Sequence, residues 1–209
     1  MPDGTSTTHP YPRSTDTSPD AVDSSFDVSK VTGNVPLAVK HRIGNSKAYF
    51  DSWIDPRFFK DSSYVFGRSI VHNFRVTEVS VYQKVNEESK LEGKVVIELE
   101  VTREMINGAG NIHGGCSAFL VDICSSLAVS ALTLTTEGKE YLTVSQAINM
   151  IYHSPADLGD TIRLVNTSVT VGGRTHTCRT EIWNATHRRL VASGTHVKMK
   201  PSPAPKPNL

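Results

Sequence analysis

A single carboxylate, Asp122, stands in the most apolar stretch of the chain, between Val121 and Ile123. Taking an unpaired carboxylate out of water is expensive, so the group has to meet a partner or a cavity. A backbone donor or an ion pair would satisfy it as well as a reaction site would, and the pattern alone leaves both open. Burial raises a carboxyl pKa, which suits a base or a nucleophile. Just upstream runs Asn107-Gly-Ala-Gly-Asn-Ile-His113-Gly114-Gly115. Its glycines expose backbone N–H groups at the start of a helix, where the dipole favours negative charge. Such a place holds a phosphate or the oxyanion of acyl transfer. A plain tight loop ahead of a helix has the same composition. Ser125 and Ser126 follow Asp122 by three and four positions, within reach of its carboxylate or of their own helix backbone.

The elements that position these residues follow from periodicity. From Gly115 to about Thr135 apolar residues fall all round the helical wheel, which predicts a buried helix, with Gly138 as its stop. Strand patterns run from about Ile70 to Lys84 and from Lys94 to Thr102; in the second, Val95, Ile97, Leu99 and Val101 share a face. Four more follow the helix: Tyr141 to Tyr152, Thr161 to Val171, Thr175 to Trp183 and Arg189 to Met199. Gly172-Gly173 joins the middle pair as a hairpin turn. A helix from Leu37 to Trp53, weakened by Gly44, is predicted to pack over the core. Two strands, a long helix and four closely linked strands make an α+β fold, not alternating βαβ. Gly108-Ala109-Gly110 with Gly114 imitates a dinucleotide-binding turn. The antiparallel strands that follow, and the missing acidic residue about twenty positions on, exclude that reading.

His113-Gly114-Gly115 followed by Asp122 closely resembles the signature of hotdog-fold thioesterases of the phenylacetyl-CoA thioesterase-like branch, most of all its eukaryotic acyl-CoA thioesterase group. Asn107 upstream and, downstream, Ser145, Tyr152-His153-Ser154-Pro155 and Gly159-Asp160 keep the family's spacing over about residues 70 to 200. The resemblance implies a hotdog fold, an antiparallel sheet wrapped round one long helix, and hydrolysis of acyl-CoA to free acid and CoA. It implies Asp122 as base or nucleophile and the Gly114 N–H as oxyanion donor. Asn107 and His113 would position the carbonyl or the water, and Ser145, from a partner subunit, would orient the water. Homodimers with shared active sites, pairing again into tetramers, are implied as well. For CoA it points to Gly115, to Tyr152, His153, Ser154 and Pro155, and to Gly173, Arg174 and Thr175, with His196 and Lys198 as further candidates. Asp157 departs from the basic residue that would hold a phosphate. The apolar helix face and the aromatic residues between positions 49 and 66 are candidate walls of an acyl tunnel. No cofactor is expected beyond the CoA of the substrate, and no metal. The alternative is a hotdog protein that binds acyl-CoA or lipid without turnover; the His and acid arrangement of a hydratase is not found.

The totals frame this reading. With 22 basic and 21 acidic side chains, net charge +1, nothing points to nucleic acid or an acidic membrane surface. Cys116, Cys124 and Cys178 fit neither a zinc pattern nor a disulfide framework and are read as reduced thiols. Residues 1–34 read as a disordered tail, 35–69 as a helical segment on the core, 70–200 as the hotdog domain and 201–209 as a Pro-rich tail. The polar start lacks an apolar secretory region, so an intracellular protein is expected, cytoplasmic or mitochondrial, with the sequons at Asn166 and Asn184 unused. The apolar stretch Ala118 to Leu134 is too polar to be a good bilayer span.

Overall fold

The computed structural model describes residues 26–55 and 65–201. The expected tails over 1–25 and 202–209, and the aromatic residues Phe58 and Phe59, lie outside the described residues. Six antiparallel strands form one sheet: β1 (Arg75–Gln83), β2 (Leu91–Glu100), β3 (Val144–Tyr152), β4 (Thr161–Val171), β5 (Thr175–Asn184) and β6 (Arg189–Met199). Their order is β1-β2-β4-β5-β6-β3. The long helix α4 (Gly114–Glu137) packs against one face and ends on Gly138 in the left-handed conformation. This is the hotdog arrangement, built from alternation on the strands and an apolar helix. Val95, Ile97 and Leu99 of β2, with Ile162 and Leu164 of β4, turn into the core beneath it. Gly93 lets β2 run close against α4: a Cβ there would lie 2.1 Å from the Ala128 carbonyl oxygen.

The helix-facing layer changes character along the strands. Towards one end it is apolar, with Ile162, Leu164, Ile182, Val191 and Ala192. Towards the other it carries Asn166, Ser168, His176, Thr180, His196 and Lys198, all buried. Part of this polar end is internally paired, as burial demands: Thr180 donates to Asn166 Oδ1 at 2.7 Å and Asn166 Nδ2 donates to the Val95 carbonyl at 3.1 Å.

The N-terminal region departs from the sequence pattern in three places. The single helix expected over Leu37 to Trp53 is two, α1 (Leu37–Gly44) and α2 (Ser46–Asp51). Asn45 breaks the run because its side chain caps α2, accepting from Ala48 N at 3.1 Å. The strand expected from Ile70 begins at Arg75, since Arg68–His72 forms a short helix, α3, that buries the adjacent Ile70 and Val71. Residues 26–34, read as part of the tail, are ordered on the core. Val31 is buried, Thr32 bridges Glu78, and the Asn34 side chain both accepts from Val81 N and donates to Val81 O. Gly33, at φ +116°, is needed because a Cβ would overlap the Val79 carbonyl. This segment covers the β1 edge of the sheet. Among the described residues no strand covers the opposite edge, β3, where Ile148, Ile151 and Tyr152 are exposed.

Candidate active site

The glycine-rich loop and the later Tyr152–Asp160 segment, forty residues apart in sequence, meet at the N-terminus of α4. Main-chain bonds stitch them: Ile112 N to Ala156 O at 2.8 Å, Leu158 N to Gly110 O at 3.1 Å and Gly159 N to Val101 O at 2.9 Å. Asp160 ties the turn by accepting from Asp157 N and Asn184 Nδ2; burial opposes its ionisation, but these bonds hold its pKa below the usual range. Asn107 Oδ1 accepts from Ala109 N and Asn111 N, so this oxygen organises the loop and only its amide nitrogen is left for a ligand. His113 is the N-cap: its Nδ1 accepts from Gly115 N at 2.9 Å, which commits that N–H to the cap. Gly114 is the first helical residue, where an N–H has no intrahelical acceptor. Its carbonyl accepts from the Tyr152 hydroxyl at 3.0 Å. His153 reaches Ser193 and Ser154 donates to Leu190 O, so the latter side chain braces the turn.

A second cluster lies further along α4. The helix is not enclosed on all sides as its composition predicts: Gly115, Ala118, Phe119, Asp122, Ile123 and Ser126 form a partly open stripe. Asp122 is on it, with its side chain 37% exposed. The sheet beneath explains its partners. Ser145 pairs with Lys198 and Ile148 with His196, and a bulge between Ser145 and Ala147 turns Ser145 to the helix side. Ser145 Oγ donates to Asp122 Oδ1 at 2.7 Å. This corrects the expectation that Ser145 reaches Asp122 from a partner subunit: both belong to one chain, because β3 flanks β6 over the middle of α4. Ser125 and Ser126 bond the Asp122 carbonyl, at 3.4 and 3.3 Å, not its carboxylate.

His196 lies beneath, with Nε2 3.4 Å from Asp122 Oδ1 and Nδ1 2.8 Å from Ser125 Oγ. Burial, then the Lys198 charge, push its pKa down to about 4 against the pull of Asp122. The imidazole is therefore neutral at neutral pH and the approach to Asp122 is not an ion pair. Ser125 Oγ and Nδ1 share one hydrogen bond, while Nε2, though near the carboxylate, is buried without a hydrogen-bond partner among the described residues. Sequence reading offered His196 and Lys198 only as CoA candidates. Their spacing of two in a strand, which puts both on one face, was the signal for a place beside Asp122.

The two segments proposed for CoA do not meet within one chain. Tyr152 pairs with Ala192 and Thr175 with Met199, seven residues apart on β6, roughly 23 Å at the rise of a strand. Gly173, Arg174 and Thr175 thus form an exposed turn at the Asp122 end of the sheet, away from Tyr152 and Gly114.

Sheet order and the central helix are those of the hotdog fold, with Asp122 on the open side of the helix. The thioesterase superfamily model matches residues 109–191. Acyl-coenzyme A thioesterase 13 of Homo sapiens is 33% identical over 118 residues, 56% of this chain and 81% of its own length. The Mus musculus protein is 31% identical over the same shares. Among solved structures, thioesterase superfamily member 2 of zebra fish gives a TM-score of 0.53 at 25% identity, covering 67% of this chain and 89% of that one. The Mus musculus structure of thioesterase superfamily member 2 gives 0.50 at 27%, covering 63% and 84%. The chain belongs to the thioesterase superfamily and is a thioester hydrolase.

Proposed function

We propose that the chain hydrolyses acyl-CoA thioesters with water, in sites built by two copies of itself. One observation carries this: Ser145 holds the Asp122 carboxylate on the open stripe of α4, eight residues beyond Gly114. Eight residues of helix span roughly 12 Å. An oxyanion donor and a base must each lie about 3 Å from the reacting atoms. Gly114 and Asp122 of one chain are therefore too far apart to serve the same carbonyl, while a second copy running antiparallel across the open stripe would bring them together. The uncovered β3 edge supports such a pairing, and it would also draw the Tyr152 and Arg174 segments towards one CoA. The relatives named acyl-coenzyme A thioesterase 13 support the substrate class.

The chemistry follows from the groups. With Oδ1 occupied by Ser145, Asp122 Oδ2 accepts a proton from water as its oxygen bonds to the thioester carbon. The Gly114 N–H of the second copy receives the developing oxyanion, supported by the dipole of α4. The carbon–sulfur bond then breaks, the CoA sulfur takes the proton from Asp122, and acid and thiol leave.

Thiol release across acetyl, octanoyl, palmitoyl and phenylacetyl thioesters tests this. The wild-type chain turns over at least one of them. Asp122→Asn loses about 10²–10⁴-fold in kcat, the range of a general base, and still binds the substrate. Tight binding without turnover by the wild type would make it a binding protein instead.

A further inference from the structure

Beside Asp122 the molecule holds an apolar chamber of about 210 Å³. Tyr49, Phe50 and Trp53 form its roof, Ile123 and Ser126 of α4 its floor, and Lys198 part of its wall. Ile123 and Ser126 continue the open stripe that carries Asp122, so the chamber extends from the carboxylate towards the C-terminal half of α4. The roof is fixed in place. The Tyr49 hydroxyl bonds Ser130 Oγ at 3.0 Å, its ring meets Phe50 edge-on at 5.1 Å, and Arg42 stacks over it at 4.7 Å. Arg42 in turn pairs at 3.0 Å with Glu140, whose side chain is 6% exposed. A dry cavity of about 150 Å³ takes up benzene, so 210 Å³ suits about eight heavy atoms.

Lys198 is out of character with this lining. It is 6% exposed, and its place on β6, opposite Ser145 and two residues from His196, points it at α4. Among the described residues its Nζ has no hydrogen bond and no carboxylate within 4.0 Å. Its ammonium is not among the fully enclosed unpaired atoms, so the surface it keeps is open to the chamber that it lines. The charge nearest in effect, Asp122, acts on it only through space and is itself bonded to Ser145. An anionic oxygen arriving with the substrate would meet that ammonium.

We propose that this chamber is the acyl pocket, and that Lys198 makes it select compact acyl groups that carry a carboxylate or similar oxygen acceptor, as in the monothioester of a medium-chain dicarboxylic acid. The proposal rests on the reading that Asp122 acts at the thioester carbon, which fixes the end from which the acyl group enters. Tyr49, Phe50 and Trp53 then set the length limit.

Calorimetry with non-hydrolysable thioether analogues of CoA tests the pocket without depending on turnover. An octyl analogue ending in a carboxylate binds at least tenfold more tightly than the methyl-ended octyl analogue, and the hexadecyl analogue binds no more tightly than the octyl one. Lys198→Met brings the carboxylate-to-methyl ratio to about one. Trp53→Ala, which shortens the roof, raises hexadecyl affinity relative to octyl severalfold. Equal wild-type affinity for the two octyl analogues, an unchanged ratio in Lys198→Met, or a tenfold wild-type preference for hexadecyl overturns the proposal. Hydrolysis of the matching thioesters is scored separately: selective binding without turnover overturns the thioesterase mechanism and leaves the pocket standing.

Discussion

The two regions of α4 that the proposed mechanism uses are made of different material. At its N-terminus the working parts are main-chain groups: the Gly114 N–H, a loop closed on Asn107 and turns stitched to residues 156–159. About two turns past Gly115, the working parts are side chains that depend on each other: Asp122, Ser145, Ser125 and His196, held by the register of β3 on β6. The first region depends on where the backbone goes, the second on which residues face one another across a sheet. A backbone-built half tolerates changes of side chain and fails when an N–H is lost. A side-chain-built half fails when one member is exchanged.

The sharpest test of the contrast removes an N–H while leaving the start of the helix able to form. Gly114→Pro does this, because the first helical position tolerates proline and His113 already has the extended backbone, φ −68° and ψ 135°, that a following proline requires. The nearest atom to a new Cβ is Tyr152 Cε1 at 3.3 Å, on an exposed ring that can shift. We expect kcat to fall about 10²–10³-fold, as for loss of an oxyanion donor, with unchanged helical circular dichroism. Mixing this variant with Asp122→Asn then asks where the two halves meet. Random exchange between symmetric dimers gives back about a quarter of the wild-type sites if the halves come from different chains. Mixed dimers that stay inactive would place the whole site in one chain.

Ser145→Ala is the milder break in the side-chain half. A hydrogen bond to a charged group is worth about 1.5–3 kcal/mol, so kcat drops roughly 10–100-fold, and Ser145→Thr recovers part of it. The smallest effect is thermodynamic. Below the ordinary imidazole pKa of 6.5 the unfolded chain takes up a proton that buried His196, with its pKa near 4, refuses. Stability therefore declines as pH falls from 6.5 towards 4 and this loss levels off below that. Urea midpoints measured across the window should slope less for His196→Gln than for the wild type; parallel slopes would mean another group titrates.

The same contrast explains what was legible in the sequence. Asn107, His113, Gly114 and Asp122 lie on one continuous stretch, and glycines ahead of an apolar helix announce themselves. The strands β4 and β6 were read to the residue, because alternation survives where one face is buried. Ser145 was found, but its subunit was misassigned: pairing with β6 and the bulge at Ala147 are long-range facts that no local pattern carries. The composition of the helix predicts an enclosed Asp122 because apolar residues fall all round the wheel; the open stripe exists because the sheet covers only part of the helix. The break at Asn45 was missed because an asparagine inside a helical pattern and an asparagine that caps a new helix look alike until the next turn is placed.

One consequence of α4 concerns what evolution can change. The eight-step interval from Gly114 to Asp122 is a spacer with both length and phase. At 3.6 residues per turn, one inserted residue would swing the carboxylate by roughly 100° and lengthen the interval by about 1.5 Å. Asp122 would leave the open stripe and lose Ser145, although every side chain of the proposed site was still present. The residue count of this interval is thus constrained as tightly as its residue types, if the proposed mechanism holds.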